Sequence, residues 1–459
     1  MTIKNSLNYI HGSIKTASPR RKLVIGSFFI VTLIGFLSMK ALTTSDKLIN
    51  WAPPETDFYL HVKVEESEKL WQKISDLEPF VRQETILGAI IPPDTKEIAI
   101  IAVDENFGIV INSNNRPAEI EGTIIETLDK NLFLIKEPEF PTLKENQAYT
   151  IAEQKNFTDE PIDANGYLYI SGDYSRQLLP TSIINNDDSI NLSQAWSLHE
   201  KEEVILWKNA NPKLFTPHKD LLSHRLPQNT LFWTHGTNWQ AAIEKSFSNL
   251  PQTLDKLVSA SKRLSLEIKT TNTPSNSFAP LFSYPFDLII TESEENKTAY
   301  VLKIEKTSNN DNQIWLKNFE NYWLNKVKKT LPAYTTIILP DGSRAVEITA
   351  NEALSWEEQN IANNIIHWLK GANNEFLIGY YESQDSIYFS NNYSNLVDFL
   401  YSESQKGWIE LDSEAKKCNF TLNELSSYSA NKENYTKISQ IINTLGPYLI
   451  NTGSDICHI

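Results

Sequence analysis

The sequence predicts an α+β chain: an N-terminal transmembrane helix, then two related units of antiparallel sheet with helices packed on one face. Three observations carry this prediction. A run of 17 residues without a charge, Leu23–Met39, stands near the start. Strand-like alternation and helix-like periodicity then succeed each other along the rest of the 459 residues. Finally, matching features recur in the same order in each half. The length exceeds what one core serves, and 41% hydrophobic residues are too many for a disordered chain, so two globular units follow.

The leader sets the orientation. Lys4, Lys15, Arg20, Arg21 and Lys22 precede the uncharged run with no acid among them. With Lys40 snorkelling and Ala41 and Leu42 extending it, the segment reaches the roughly 20 residues a bilayer-spanning helix needs. The positive-inside bias places residues 1–22 in the cytoplasm as a tail, residues 23–42 in the membrane as an uncleaved signal anchor, and the rest outside. A cleaved signal peptide fits less well, because Lys40 falls where cleavage belongs and no Ala-x-Ala site follows. Residues 1–50 carry a balance of +6, so the net charge of −15 leaves about −21 on residues 51–459. A body so acidic excludes a generic nucleic-acid binder, which needs a basic surface, and is repelled by anionic headgroups. The implied partners are the lipid bilayer, through residues 23–42, and an envelope protein.

Residues 43–50 form a polar linker. The first unit, residues 51–225, opens at Pro54-Glu-Thr with a half-buried strand, Asp57–Lys63, in which Phe58, Leu60 and Val62 alternate with polar positions. Leu70, Ile74 and Leu77 then mark a helix. Glu97–Val103 and Gly108–Asn112 read as paired strands. Ile120, Ile124 and Leu128 predict another helix before the strand Leu132–Lys136. The second unit, residues 226–459 with an insertion, opens at Pro227-Gln-Asn-Thr and continues through a helical stretch at 239–257. Asp311 caps a helix bearing Ile314, Trp315, Phe319, Tyr322, Trp323 and Val327, a core stripe. Tyr169–Ser175 matches Tyr388–Ser394, and strands at 204–210 and 418–424 follow at similar distances.

These signatures, Pro54-Glu-Thr, Pro227-Gln-Asn-Thr, Tyr169–Ser175 and Tyr388–Ser394, together with the leader, mark a resemblance. The chain resembles bacterial single-pass membrane-anchored proteins of a domain-of-unknown-function family with repeated α+β extracytoplasmic units. The resemblance implies a cell-envelope protein and contributes no catalytic residue.

Chemistry is sparse. Two cysteines, Cys418 and Cys457, exclude a disulfide-dense scaffold and a cysteine-based metal cage. Outside the cytoplasm they either pair, closing a loop worth roughly 3–4 kcal/mol, or stand as unrelated thiols. The eight histidines include no H-E-x-x-H pair, and His199-Glu-Lys-Glu-Glu reads as a solvated charge run. Ser259-Ala-Ser-Lys262 has the S-x-x-K spacing of a penicillin-binding-protein nucleophile, but K-T-G is missing and Ser390-Asn-Asn392 fits S-x-N only loosely. Glycine-rich nucleotide motifs are absent. The expectation is therefore a membrane-anchored extracytoplasmic binding or scaffold protein without catalytic, cofactor or metal residues. The alternative is an anchored hydrolase acting on glycans or peptides.

Overall fold

A computed structural model describes residues 46, 48–78, 86–144, 164–172, 194–201, 204–209, 224–236, 280, 283–292, 298–306, 311–330, 333–349, 354–361, 363–371, 375–401, 408–430, 441, 444–451 and 455–459. The first half begins with β1 (Phe58–Lys63), α1 (Glu68–Ser75) and the short α2 (Leu87–Ile90). Leu70 and Ile74 are the buried residues of α1, as their spacing demands. Then come β2 (Glu97–Val103) and β3 (Asn106–Asn112), joined by Asp104 and Glu105 at φ 47° and 66°, the left-handed pair of a two-residue hairpin turn. The strands β4 (Ile124–Asp129), β5 (Leu132–Lys136), β6 (Gly166–Ile170), β7 (Gln194–Glu200) and β8 (Ile205–Asn209) complete it. The helix expected from Ile120, Ile124 and Leu128 is strand β4 instead. A spacing of four is one helical turn and also two strand repeats, so it fits both periods.

The second half runs β9 (Arg225–Pro227), β10 (Thr230–Gly236), β11 (Phe286–Glu292), β12 (Thr298–Glu305), α3 (Asp311–Thr330), β13 (Ala333–Ile338) and β14 (Arg344–Thr349). It continues through β15 (Ser355–Ile361), β16 (Asn364–Lys370), β17 (Phe376–Glu382), β18 (Ser386–Ser390), α4 (Tyr393–Leu400), β19 (Trp408–Glu410) and α5 (Leu411–Lys417). The chain closes with β20 (Leu425–Ser429), β21 (Tyr448–Asn451) and β22 (Ile456–His458). The strand expected at 418–424 is displaced: Cys418 caps α5, Leu422–Glu424 is a 3-10 turn, and the strand is β20.

Eighteen of these strands form one antiparallel sheet. Its spatial order is β4-β5-β3-β2-β1-β6-β7-β8, then β22-β21-β20-β10-β11-β12-β18-β17-β16-β15. Read outward from the β8–β22 pair, the two series follow the same plan: three strands from the end of the half, then its first three, then a meander. In this order β1 stands where β10 stands, and β2 and β3 where β11 and β12 stand. Tyr169 and Tyr388 do not correspond, for β6 and β18 occupy different places.

The expected fold class is therefore corrected. The described chain is predominantly β, in one sheet with few helices, and the helices lie on both faces. Following side chains across the ladder, Phe58, Trp196, Trp207, Ile456 and Phe232 share one face, covered by α1 and α2 in the first half and α3 in the second. Tyr59, Tyr169, Leu206, Cys457 and Trp233 share the other, covered by residues 48–52 and by α4 and α5. Burial on both faces explains why Ile98–Val103 is a continuous apolar run rather than an alternation. Among the described residues no helix is long and apolar enough to cross a membrane. Residues 23–42, where the transmembrane helix was expected, lie outside the described residues, as does the stretch 239–257.

The halves meet at β8–β22, where Trp207, Leu206 and Ile205 lie opposite Ile456, Cys457 and His458. Asp455 accepts from the Asn209 amide at 2.8 Å, and the His458 ring lies 4.5 Å from that of Trp207. Cys418 and Cys457 form a disulfide, so the pairing alternative holds. It ties the last strand to the end of α5 across 39 residues of sequence. Replacing Cys457 by Ser should cost roughly 4 kcal/mol by chain entropy, read from guanidinium unfolding. Reductant should destabilise the natural chain equally and leave the variant unchanged.

Candidate functional site

Corresponding strands reveal a pattern that runs across the sheet. Thr56-Asp-Phe-Tyr-Leu-His61 leads into β1, and Thr230-Leu-Phe-Trp-Thr-His235 forms β10. Phe58 and Phe232 face one side; Tyr59 with His61 and Trp233 with His235 face the other. Both histidines are buried, and each meets a carboxylate.

In the first half that carboxylate comes from the chain entering the body. Asp46 accepts the backbone N–H groups of Leu48 and Ile49 at 3.0 and 3.2 Å, capping the 3-10 turn Leu48–Trp51. Its second oxygen accepts the Tyr59 hydroxyl at 2.6 Å and lies 3.3 Å from His61 Nδ1. His61 Nε2 reaches Glu97 at 3.1 Å, and Asn112 donates to the other Glu97 oxygen at 2.7 Å. The His61 ring is stacked on Tyr167, 5.7 Å between centroids. A Cβ on Gly166 would fall 2.2 Å from the His61 carbonyl oxygen, so only glycine lets β6 approach here. Burial alone would depress the His61 pKa, but Asp46 and then Glu97 override it and hold it above the ordinary value. Burial also raises Asp46, against the pull of His61 and Tyr59, so the proton belongs to the pair.

From His61 the cross-strand row runs through Ala99, Val110 and Leu134. It is apolar, and residues 48–52 cover that face. The corresponding row in the second half is His235, Asp287, Lys303, Tyr388 and Tyr381, each directly opposite the next. His235 Nδ1 meets Asp287 Oδ1 at 2.8 Å, while Asp287 Oδ2 is buried without a hydrogen-bond partner. Lys303 Nζ lies 5.4 Å from the Tyr388 ring centre, and the Tyr388 and Tyr381 rings are parallel at 4.4 Å. Burial lowers the Lys303 pKa, opposed by Asp287 and Asp385. Burial pushes the Tyr388 phenol up to about 12 and raises Tyr381 as well.

A sheet needs apolar residues at these positions, as the first half shows, so five ionisable groups in one row are not explained by packing. Lys303 and Tyr388 are partly exposed and form the open end. The row combines a cation whose proton is loosened by burial, a histidine–carboxylate pair and two phenols. It can hold and exchange a proton, and it can recognise a group that both donates and accepts hydrogen bonds. Among the described residues no group of three or more His, Cys, Asp and Glu side chains is placed to hold a metal ion.

The residues singled out in the sequence are placed elsewhere. Ser259 and Lys262 lie outside the described residues. Ser390 donates to the Tyr300 carbonyl, and Asn392 caps α4. His199 is not on a solvated charge run: it is buried on β7, 3.0 Å from Ser197 Oγ. Cys418 and Cys457 are joined.

Two histidines should tilt the pH dependence in opposite directions. His61 has a raised folded pKa, so its contribution is complete below about pH 6.5 and fades as pH rises through the folded value. His458, buried and hydrogen-bonded to the Gly446 carbonyl, is lowered to about 3, so its contribution fades as pH falls below about 6.5. Melting temperatures across pH should show His61→Gln flattening the alkaline decline and His458→Phe the acid one. In the polar row, Asp287→Ala strands His235 in an apolar site and should cost about 3 kcal/mol. Lys303→Met removes a cation held against burial and should leave the melting temperature unchanged or higher.

No family model and no curated protein matches the chain. Among solved structures, crystal form I of TP0453 matches at 13% identity over 38% of this chain and 82% of that one. Its TM-score is 0.24, too low to carry an argument about this chain.

Proposed function

We propose that this chain is a binding or scaffold protein of the cell envelope, held at a membrane through residues 23–42 with its body outside the cytoplasm. The observation that carries the reading is the buried Cys418–Cys457 disulfide, because such bonds persist in oxidising compartments and are rare in the cytosol. The basic, then uncharged, leader supports the same side of the membrane. The shared strand plan of the two halves supports their origin as two related units, 51–225 and 226–459. Of these, the first uses its His61 face to seat the incoming chain, and the second presents the His235–Tyr381 row for a partner of the envelope. The binding role also agrees with the resemblance to anchored proteins with repeated units.

Compartment is testable through the thiols. In cells quenched with acid and alkylated with a mass tag before reduction, Cys418 and Cys457 should remain unmodified and become reactive only after reductant. External protease on intact cells should digest the body and spare residues 1–42. Alkylation of both cysteines before reduction, with the body protected until lysis, would overturn the reading.

A further inference from the structure

Strands β13 and β14 form a separate two-stranded sheet, an arm between α3 and β15. Its register places Ile338 opposite Arg344 and Thr336 opposite Val346, so Ile338, Val346 and Ile348 share one face. These three are 74%, 63% and 66% exposed, and Ile337 and Leu339 beside them are 37% and 38% exposed. Ten large apolar residues are exposed among those described, and five fall within this one short segment. An isolated hairpin is marginal in water and needs a hydrophobic cover for stability. On a body whose other apolar strands are buried, this arm is built to be covered by something else.

The distance from the leader to the body identifies the cover. Asp46 is already buried, held by Tyr59 and the Leu48 and Ile49 amides. Only residues 43–45 separate it from the segment ending at Leu42, a reach of about 14 Å for an extended chain. A body seated so close to the bilayer has lipid within the length of a six-residue strand, about 20 Å. Charge points the same way. The arm carries Asp341, Arg344 and Glu347, close to neutral on a strongly acidic body, so it is a projection that headgroups do not repel. Arg344 lies across from Ile338, where its stem can cover apolar surface while its guanidinium meets a phosphate.

We propose that the β13–β14 arm is a second membrane contact, laying Ile338, Val346 and Ile348 into the interfacial layer of the bilayer that residues 23–42 enter. This rests on the membrane-held reading above. The contact makes the body lie along the membrane and leaves the polar row to face a partner from the side.

Both native cysteines are in the disulfide, so one introduced cysteine gives a single labelling site. The full-length I338C chain, carrying a polarity-sensitive dye and reconstituted into phosphatidylcholine vesicles, should shift to the blue. Nitroxide-labelled lipid should quench it at least twofold, while a dye at D412C on α5 stays unquenched. A dye at S38C reports the leader independently. Quenching at 38 with a water-like, unquenched dye at 338 would overturn the arm's contact alone. No quenching at 38 would overturn the membrane-held reading and the arm's contact with it. A blue shift at 338 that ignores nitroxide lipid and grows with protein density would mean that a second copy covers the arm, and would also overturn it.

Discussion

Everything in this molecule hangs on a short pairing, β8 against β22. Three residue pairs join two series of strands that otherwise have separate cores and covering helices. So small a ladder would fray alone, and the chain reinforces it in three ways. Trp207 and His458 fill one face, Leu206 and Cys457 the other, and Asp455 closes the end on the Asn209 amide. The disulfide then fastens β22 to α5, so the last residues of the chain cannot leave without carrying part of the second half with them. Lys73 of α1 adds a link by donating to the Leu445 carbonyl, binding the first half's helix to the approach of β21. The seam is apolar on both faces and polar at its margin, which is how a sheet interior is built.

On either side of the seam the same strand plan is filled differently. Where the first half places Ala99, Val110 and Leu134 beside its histidine, the second places Asp287, Lys303 and Tyr388. The first arrangement stabilises. Its histidine is occupied by Asp46 and Glu97, and its apolar row anchors the 3-10 turn where the chain enters the body. The second buries charge that a hydrophobic replacement would render cheaper to fold, and such positions are kept for specificity or function. That contrast within one sheet is a stronger pointer than burial or charge alone, because the first half supplies the reference for what the fold itself requires.

Much of the secondary structure was legible in the sequence. β1, the β2–β3 hairpin, α1 and α3 follow directly from period and turn chemistry. Ile120, Ile124 and Leu128 misled because their spacing suits a helix and a strand equally. The half-buried reading of β1 missed that Tyr59 and His61 are also covered, since the cover is the chain's own residues 46–52. The recurring order of features was visible, but Tyr169–Ser175 and Tyr388–Ser394 pointed to strands that do not correspond; the telling match was Thr-x-Phe-aromatic-x-His at Thr56 and Thr230. The polar row could not be read as a motif at all. His235, Asp287, Lys303, Tyr388 and Tyr381 sit on five strands, brought level only by register, and no local spacing announces them.

The account stands on the two halves being one sheet through β8 and β22. Hydrogen exchange resolved to residues 204–209 and 455–459 tests this most directly. The account predicts that both segments are protected together in the oxidised protein and lose protection together on reduction of the disulfide. Exchange of residues 455–459 at free-peptide rates in the oxidised protein, with residues 204–209 still protected, would contradict it.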